Sequence, residues 1–282
     1  MLTGTYVVFY AGGAFYALAA LIALLYLHNA NPLWLGLSSR ALVAGILFFV
    51  AAFVLRWWTW GRLPLTTMTD SIDLFAVLTA LAILLTIRKN TMPALLSFYL
   101  PPLAAICLVN VAFAHRFLGL EPRELRSSFL AIHVGLAFLA YALFYLASMT
   151  SAAYLCQASH LKHHHISWLV RHLPSLKELD AALFRLIRYG YPFFVVTLTL
   201  GLVWAFIDRN LLGPYWWVSP KVVLSYAMAA FYASMFHLGR TGRLRGPKLA
   251  QLVFLGFFLL IVSYVALSIL NLRGHYFWSG GS

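Results

Sequence analysis

The stretch "FLAIHVGLAFLAYALFYLASMTSAAYL", residues 129–155, decides the fold. It is apolar almost throughout, and it contains one histidine, His133, but no aspartate, glutamate, lysine or arginine. A helix needs about 20 mainly apolar residues to cross the hydrocarbon core of a bilayer. The stretch therefore predicts a membrane-spanning helix that carries an imidazole near one end.

The rest of the chain has the same character. Its 282 residues are 63% hydrophobic and 10% charged, whereas a soluble domain is about 45–50% apolar and about 25% charged. We expect an all-α polytopic membrane protein, surrounded by the lipid bilayer and forming a single integral-membrane domain over 1–282. The apolar runs predict eight spans, over about 5–27, 41–58, 72–87, 92–114, 129–157, 192–208, 221–239 and 249–270.

Lysine and arginine are distributed unevenly between the predicted loops. The loops after the first, third, fifth and seventh spans share one side and hold 12 of the 20 basic residues. They are Arg40, Arg88, Lys89, Lys162, Arg171, Lys177, Arg185, Arg188, Arg240, Arg243, Arg245 and Lys248. Because basic loops stay on the cytoplasmic side, both termini are predicted to lie outside a bacterial inner (cytoplasmic) membrane. The net charge of +13 then reflects topology, and we expect no nucleic-acid partner.

The segment "PSLKELDAALFRLIRY", residues 174–189, carries helix signals before the sixth span. Ser175 is followed three residues later by Glu178, which is the spacing of a capping box. The apolar residues that follow recur at helical spacing. We therefore expect an additional amphipathic helix that lies on the cytoplasmic surface of the membrane.

The segment "WGRLPLTTMTDSIDLF", residues 60–75, joins the second and third spans. Its two carboxylates, Asp70 and Asp73, could suggest acid–base chemistry, but no nucleophile or partner base accompanies them. We interpret the region from Thr66 to Asp73 as the cap of the third span.

The loop "GPYWWVSPK", residues 213–221, places three large aromatic rings between two apolar runs. On the predicted outer side it is joined by His133 and by His275, which follows the eighth span. Two opposed imidazoles can ligate haem iron, and aromatic rings supply apolar walls for a flat porphyrin. We therefore predict a haem b site with His133 and His275 as axial ligands. The residues of its aromatic shelf and its partners for the haem propionates are Tyr215, Trp216, Trp217, Lys221 and Arg273.

A second histidine pair lies toward the predicted cytoplasmic side. His28 ends the first span and His237 lies near the inner end of the seventh. An ionisable residue within a span is a functional candidate. If these two helices are neighbours, the pair could hold a second haem iron; the alternative is that each imidazole binds a backbone carbonyl or water.

The aromatic loop, residues 213–221, also shows a resemblance to a known family. It resembles the tryptophan-rich WWD motif, W-G-x-Y-W-x-W-D-P-K, of the haem-handling membrane proteins of cytochrome c assembly, a group that includes CcsA, CcmC and HemX-like proteins. In "LGPYWWVSPK" (212–221) the motif is degenerate. The positions that match are Gly213, Tyr215, Trp216, Pro220 and Lys221. Leu212, Val218 and Ser219 depart from the motif.

Other stretches extend the resemblance over about residues 60–278. Segment 60–75 is similar to the family stretch G-x-x-P-L-[TS]-N-x-Y-E-S-L, with Asp70 in place of glutamate. The resemblance gives His133 and His275 the roles of the two outer histidines that ligate haem, and gives His237 the role of the histidine within the membrane. His28 has no counterpart in the resemblance and is proposed from its position alone.

The resemblance implies a function. Such proteins bind haem on the outer loop and present it for attachment to apocytochrome c, together with a CcsB-like membrane subunit. We expect a haem-handling role that makes and breaks no substrate bond, so the chain is not expected to be an enzyme. Two alternatives stay open: a haem-b electron-transfer or anchor subunit among respiratory-complex subunits, and a HemX-like regulator of haem synthesis that holds no haem.

Overall fold

The fold is a bundle of long helices, seen in a computed structural model of the chain. The structure describes residues 2–61, 63–65, 67–88, 92–113, 128–164, 170–207 and 216–274, and this part of the chain contains no β-strand. Its helices are α1 (Leu2–Asn29), α2 (Pro32–Trp60), α3 (Met68–Arg88), α4 (Leu96–Phe113), α5 (Ser128–Lys162), α6 (Leu176–Ile207), α7 (Pro220–Arg240) and α8 (Gly246–Gly274). Two short 3₁₀ turns, Pro93–Leu95 and Trp216–Val218, precede α4 and α7.

All eight of these helices are long and apolar enough to cross a membrane, which confirms the predicted number of spans. Each helix must bond its backbone groups internally, because hydrocarbon offers them no partner. Large apolar side chains on the outside of the bundle, such as Leu33 (75% exposed) and Val7 (66% exposed), provide a lipid-facing surface. Trp57 and Trp58 are exposed near the predicted outer end, at the depth where an aromatic belt is expected.

Helix α5 occupies the centre of the bundle. It packs against α3 and α4 on one side and against α6 and α8 on the other, while α1 packs against α2 and α4. Its buried Phe144 stacks on Tyr232 of α7, with ring centroids 3.8 Å apart. A Cβ at Gly190 of α6 would lie only 2.9 Å from the Phe144 ring. Helices α5 and α6 therefore approach closely at Gly190, where α6 has no side chain.

The amphipathic segment and the sixth span form one helix, α6, in place of the separate surface helix that the sequence predicts. The predicted capping box is confirmed, since Ser175 N donates to Glu178 Oε2 over 2.8 Å. The helix then continues through Pro192. Its apolar face is buried at Leu179, Leu183 and other positions because α5 lies alongside it. The helical spacing of the apolar residues in segment 174–189 therefore reflects packing against α5.

Charged side chains are buried where α2, α3 and α4 meet near the predicted outer end. The Arg56 guanidinium of α2 donates to Asp70 Oδ1 of α3 over 2.7 Å, and its second nitrogen donates to Asp73 Oδ2. Asn110 of α4 donates from Nδ2 to Asp73 Oδ1 over 2.8 Å. The ring of Phe9 in α1 lies 5.6 Å from the guanidinium carbon. One network therefore connects the first four helices.

The start of α3 uses one carboxylate of this network as a cap. Asp70 Oδ2 accepts from Thr67 N over 3.2 Å, and Thr67 Oγ1 accepts from Asp70 N over 3.1 Å. The prediction of a cap is thus confirmed at Thr67 and Asp70, whereas Thr66 lies outside the described residues. Asp73 has a different role, because it pairs with Arg56 and Asn110 inside the bundle.

The network makes Arg56→Leu a strongly destabilising change. The substitution would leave two carboxylates buried without their cation, and loss of one partner of a buried ion pair costs about 3–5 kcal/mol. We expect a large drop in the unfolding temperature of the purified protein in detergent. Arg240→Leu is the matched control, because Arg240 is exposed at the end of α7. Equal unfolding temperatures for the two variants would contradict the role of the network.

Candidate functional site

The predicted outer ligand His133 lies on α5 and faces α6. Its ring is half-buried, and Nδ1 lies 2.9 Å from the carbonyl oxygen of Thr197. A carbonyl can only accept, so Nδ1 carries the proton and donates. In the neutral ring this leaves the lone pair on Nε2, which is the arrangement found in metal-binding histidines whose other nitrogen is held by a hydrogen bond. The contact between α5 and α6 thus sets the tautomer of His133.

One face of α6 lies against this imidazole. A Cβ at Gly201 would lie 2.7 Å from His133 Cε1, so only glycine leaves room for the ring in its present position. Thr197, Gly201 and Trp204 are four and three residues apart and therefore share this face. Thr197 Oγ1 and Trp204 Nε1 are buried and have no hydrogen-bond partner among the described residues. Buried polar atoms are normally satisfied.

The residues around His133 can be compared with the requirements of a haem site. The imidazole is oriented by a backbone carbonyl, and two orphaned polar atoms lie on the facing helix, one of them an indole N–H. An N–H donor of this kind can bind the carboxylate of a propionate. The residues present therefore fit the group. Sequence reasoning missed Thr197, Gly201 and Trp204, because nothing in an apolar span marks residues that face a particular partner.

The aromatic loop leads into α7. Trp216–Val218 form a 3₁₀ turn, closed by the bond from Ser219 N to the Trp216 carbonyl over 3.2 Å. Trp216 is half-buried, whereas Trp217 is 55% exposed. Lys221 lies in the first turn of α7, and Tyr215 lies outside the described residues. The exposed Trp217 ring thus presents an apolar surface at the predicted outer end.

His275, the second predicted ligand of the outer site, comes directly after α8 in the sequence. This helix ends at Gly274 with Arg273 in its last turn, and His275 lies outside the described residues. The rings of Phe138 and Tyr264, 6.1 Å apart, set the register of α5 against α8. Counting about 1.5 Å per residue from this contact places Arg273 about 6 Å further toward the predicted outer end than His133. Both residues therefore belong to the same end of the bundle.

The inner pair lies on helices with different neighbours. His28 is in the last turn of α1, and His237 is in the last turn of α7; both side chains are exposed. Helix α1 packs mainly against α2 and α4, whereas α7 packs mainly against α6 and α8. The joint binding of one iron by His28 and His237 stays a prediction. Among the described residues, no group of three or more His, Cys, Asp or Glu could hold a metal ion.

Comparison with known proteins decides the family. Residues 7–273 match the family described as Cytochrome C assembly protein. This chain belongs to the cytochrome c assembly family. The match includes α1 and α2, where sequence reasoning found no distinctive motif. Membership supports a role in cytochrome c biogenesis for this multi-pass membrane protein.

Relatives of two kinds are similar to this member of the family. Protein HemX of Brevibacillus brevis is 29% identical over 243 residues, covering 84% of this chain and 85% of the relative. The cytochrome c biogenesis protein CcsA of a Synechococcus strain is 26% identical over 268 residues, covering 86% and 87%. Protein HemX of Bacillus subtilis is 27% identical over 228 residues.

The packing of Gly201 on His133 predicts a measurable clash. Gly201→Ala should destabilise the protein by about 1–3 kcal/mol, the usual cost of overpacking, because the new methyl group would displace the ring. Gly135→Ala on α5 is the control; it makes the same gain in helix propensity, and its Cβ meets nothing within 4 Å. Thermal unfolding in detergent measures both variants.

A second variant separates this clash from other effects of the substitution. In a His133→Ala background the ring is absent, so Gly201→Ala should cause no further loss of stability. A loss of the same size in both backgrounds would show that the ring does not limit this contact.

Proposed function

We propose that this protein binds haem b at the predicted outer end of the bundle and presents it for cytochrome c assembly. The observation that supports this most is the bond from His133 Nδ1 to the Thr197 carbonyl, which places the lone pair of the neutral imidazole on Nε2. Gly201 makes room for the ring, and Trp204 Nε1 is a buried donor on the same helix face.

Each residue has a part in this proposal. His133 and His275 are the axial ligands, and Tyr215, Trp216 and Trp217 form the apolar shelf. Haem, when bound, supplies the vinyl groups and the iron that make it the cargo of cytochrome c assembly. The propionate partners proposed from the sequence are Lys221 and Arg273; the structure adds Trp204, whose indole N–H can donate to a carboxylate.

The protein's own contribution is to bind, orient and expose its cargo. No bond of a substrate is broken by the residues of the proposed site, so we propose a haem chaperone and no enzyme. The exposed Trp217 ring would face a partner such as apocytochrome c, and a CcsB-like subunit would complete the assembly in the inner membrane. A second haem at His237 belongs to the same proposal, whereas its sharing with His28 would require α1 and α7 to be neighbours, and these helices pack mainly against other partners.

The similarity to HemX proteins favours a second candidate, a regulatory role without bound haem. The two functions differ in one observable property. A haem-presenting protein purified with its cargo should show the visible spectrum of haem b, oxidised and reduced, with a stoichiometry that haem quantitation gives. A colourless protein, even after addition of haem, would favour the regulatory role.

Replacement of the axial ligands should remove this spectrum. In His133→Ala and in His275→Ala we expect the six-coordinate spectrum of the outer site to be lost and its haem content to fall, because six-coordinate iron needs both imidazoles. His163→Ala is the control, since His163 is exposed in the turn that follows α5, at the opposite end of that helix. Full haem content in both ligand variants would show that these histidines do not bind the iron.

Trp204→Phe tests the donor that the structure adds. This change keeps an aromatic ring but removes the N–H, and a hydrogen bond to a charged group contributes about 1.5–3 kcal/mol. We expect haem to be retained about ten-fold more weakly or worse, with the six-coordinate spectrum intact because the axial ligands are unchanged. Transfer of haem to an excess of apomyoglobin measures the retention.

The control for this variant is Trp217→Phe, which keeps an aromatic wall on the exposed loop and should have a smaller effect on retention. If Trp204→Phe retains haem as tightly as the unmodified protein, the indole N–H is no propionate donor. That outcome would leave the assignment of His133 to the iron intact.

A further inference from the structure

A groove separates α2 from α3 on the lipid-facing side of the bundle, at the end opposite the proposed haem site. Its volume is about 520 Å³, and it is open toward the outside of the bundle. Val43 and Leu47 of α2 form one wall, and Leu84 and Ile87 of α3 form the other. The two walls are apolar, so a hydrocarbon chain is the kind of group that they would accept.

One end of the groove is polar. Ser39 and Arg40 lie there, at the end that the distribution of basic residues predicts to be cytoplasmic. Arg40, Val43, Ala44 and Leu47 are spaced at three- and four-residue intervals, so they form one stripe along α2. One end of the groove is therefore cationic and the rest is apolar. These two parts complement the anionic headgroup and the acyl chain of a phospholipid.

Arg40 is suited to bind a phosphate. Its side chain is exposed, and none of the ion pairs among the described residues involves it. The hydroxyl of Ser39 already donates to the Leu35 carbonyl over 2.8 Å, so the guanidinium is the main donor at this end. A planar guanidinium can bind two phosphate oxygens at once.

The depth of Arg40 agrees with a headgroup contact. The span Pro32–Thr59 has 28 residues and is about 42 Å long at 1.5 Å per residue, whereas the hydrocarbon core is about 30 Å thick. Arg40 lies about 12 Å from the start of α2, where a long side chain can extend its charge to the interface.

We propose that this groove is a binding site for an anionic phospholipid, with its phosphate on Arg40 and one acyl chain between α2 and α3. Ala44 forms the floor, where its small side chain leaves room for the chain. The site lies on α2 and α3, away from His133, and it does not depend on the proposed haem function.

Native mass spectrometry of the purified full chain tests this site with two probes, phosphatidylglycerol and phosphatidylcholine. We expect phosphatidylglycerol to bind more tightly, and Arg40→Gln to weaken that binding about five-fold, because a basic residue at a membrane surface contributes about that factor in affinity for anionic lipid. Arg240→Gln, a change of the same charge at an exposed position on the same predicted side, should have no effect.

A second variant tests the apolar part of the site. Ala44→Phe should fill the groove and weaken phosphatidylglycerol binding while the charge of Arg40 is kept. Thermal unfolding of each variant in detergent confirms that it is folded. Equal binding of the two lipids, equal losses in Arg40→Gln and Arg240→Gln, or unchanged binding in both Arg40→Gln and Ala44→Phe would each overturn the proposal.

Discussion

The buried ion-pair network around Arg56 is the constraint on which the first half of the bundle depends. A guanidinium and two carboxylates cannot remain in an apolar interior unless each charge has partners, and here those partners come from three helices. Arg56 is on α2, Asp70 and Asp73 are on α3, and Asn110 is on α4. The register of these helices is therefore set by polar groups, while apolar side chains fill the space between them.

The second half of the bundle is arranged around α5, which packs against both α6 and α8. Close approach to α6 depends on positions without side chains, Gly190 beside Phe144 and Gly201 beside His133. The same approach brings the Thr197 carbonyl within hydrogen-bond distance of the imidazole. Packing and chemistry are coupled here, because the contact that joins the helices also sets which nitrogen of His133 holds the proton. That coupling links the fold to the proposed haem site.

Reading the sequence identified the candidate ligand but not its surroundings. His133 is visible as a single imidazole in an apolar run, and the aromatic loop is visible as rings in a polar segment. Thr197, Gly201 and Trp204 have no such signal, since a threonine, a glycine and a tryptophan are ordinary in any span. The sequence predicts Asp73 as part of a helix cap, whereas in the structure it pairs with Arg56, 17 residues away on another helix.

The sequence by itself determined the eight spans and indicated the family, because hydrophobic length and motif spacing are local properties. It also determined the cap of α6 at Ser175 and Glu178, which are three residues apart. Only the tertiary structure decided that the apolar face of segment 174–189 packs against α5, that Arg56 pairs with Asp73, and that one face of α6 lies against His133. These results depend on which helices become neighbours, and that choice follows from packing across the whole bundle.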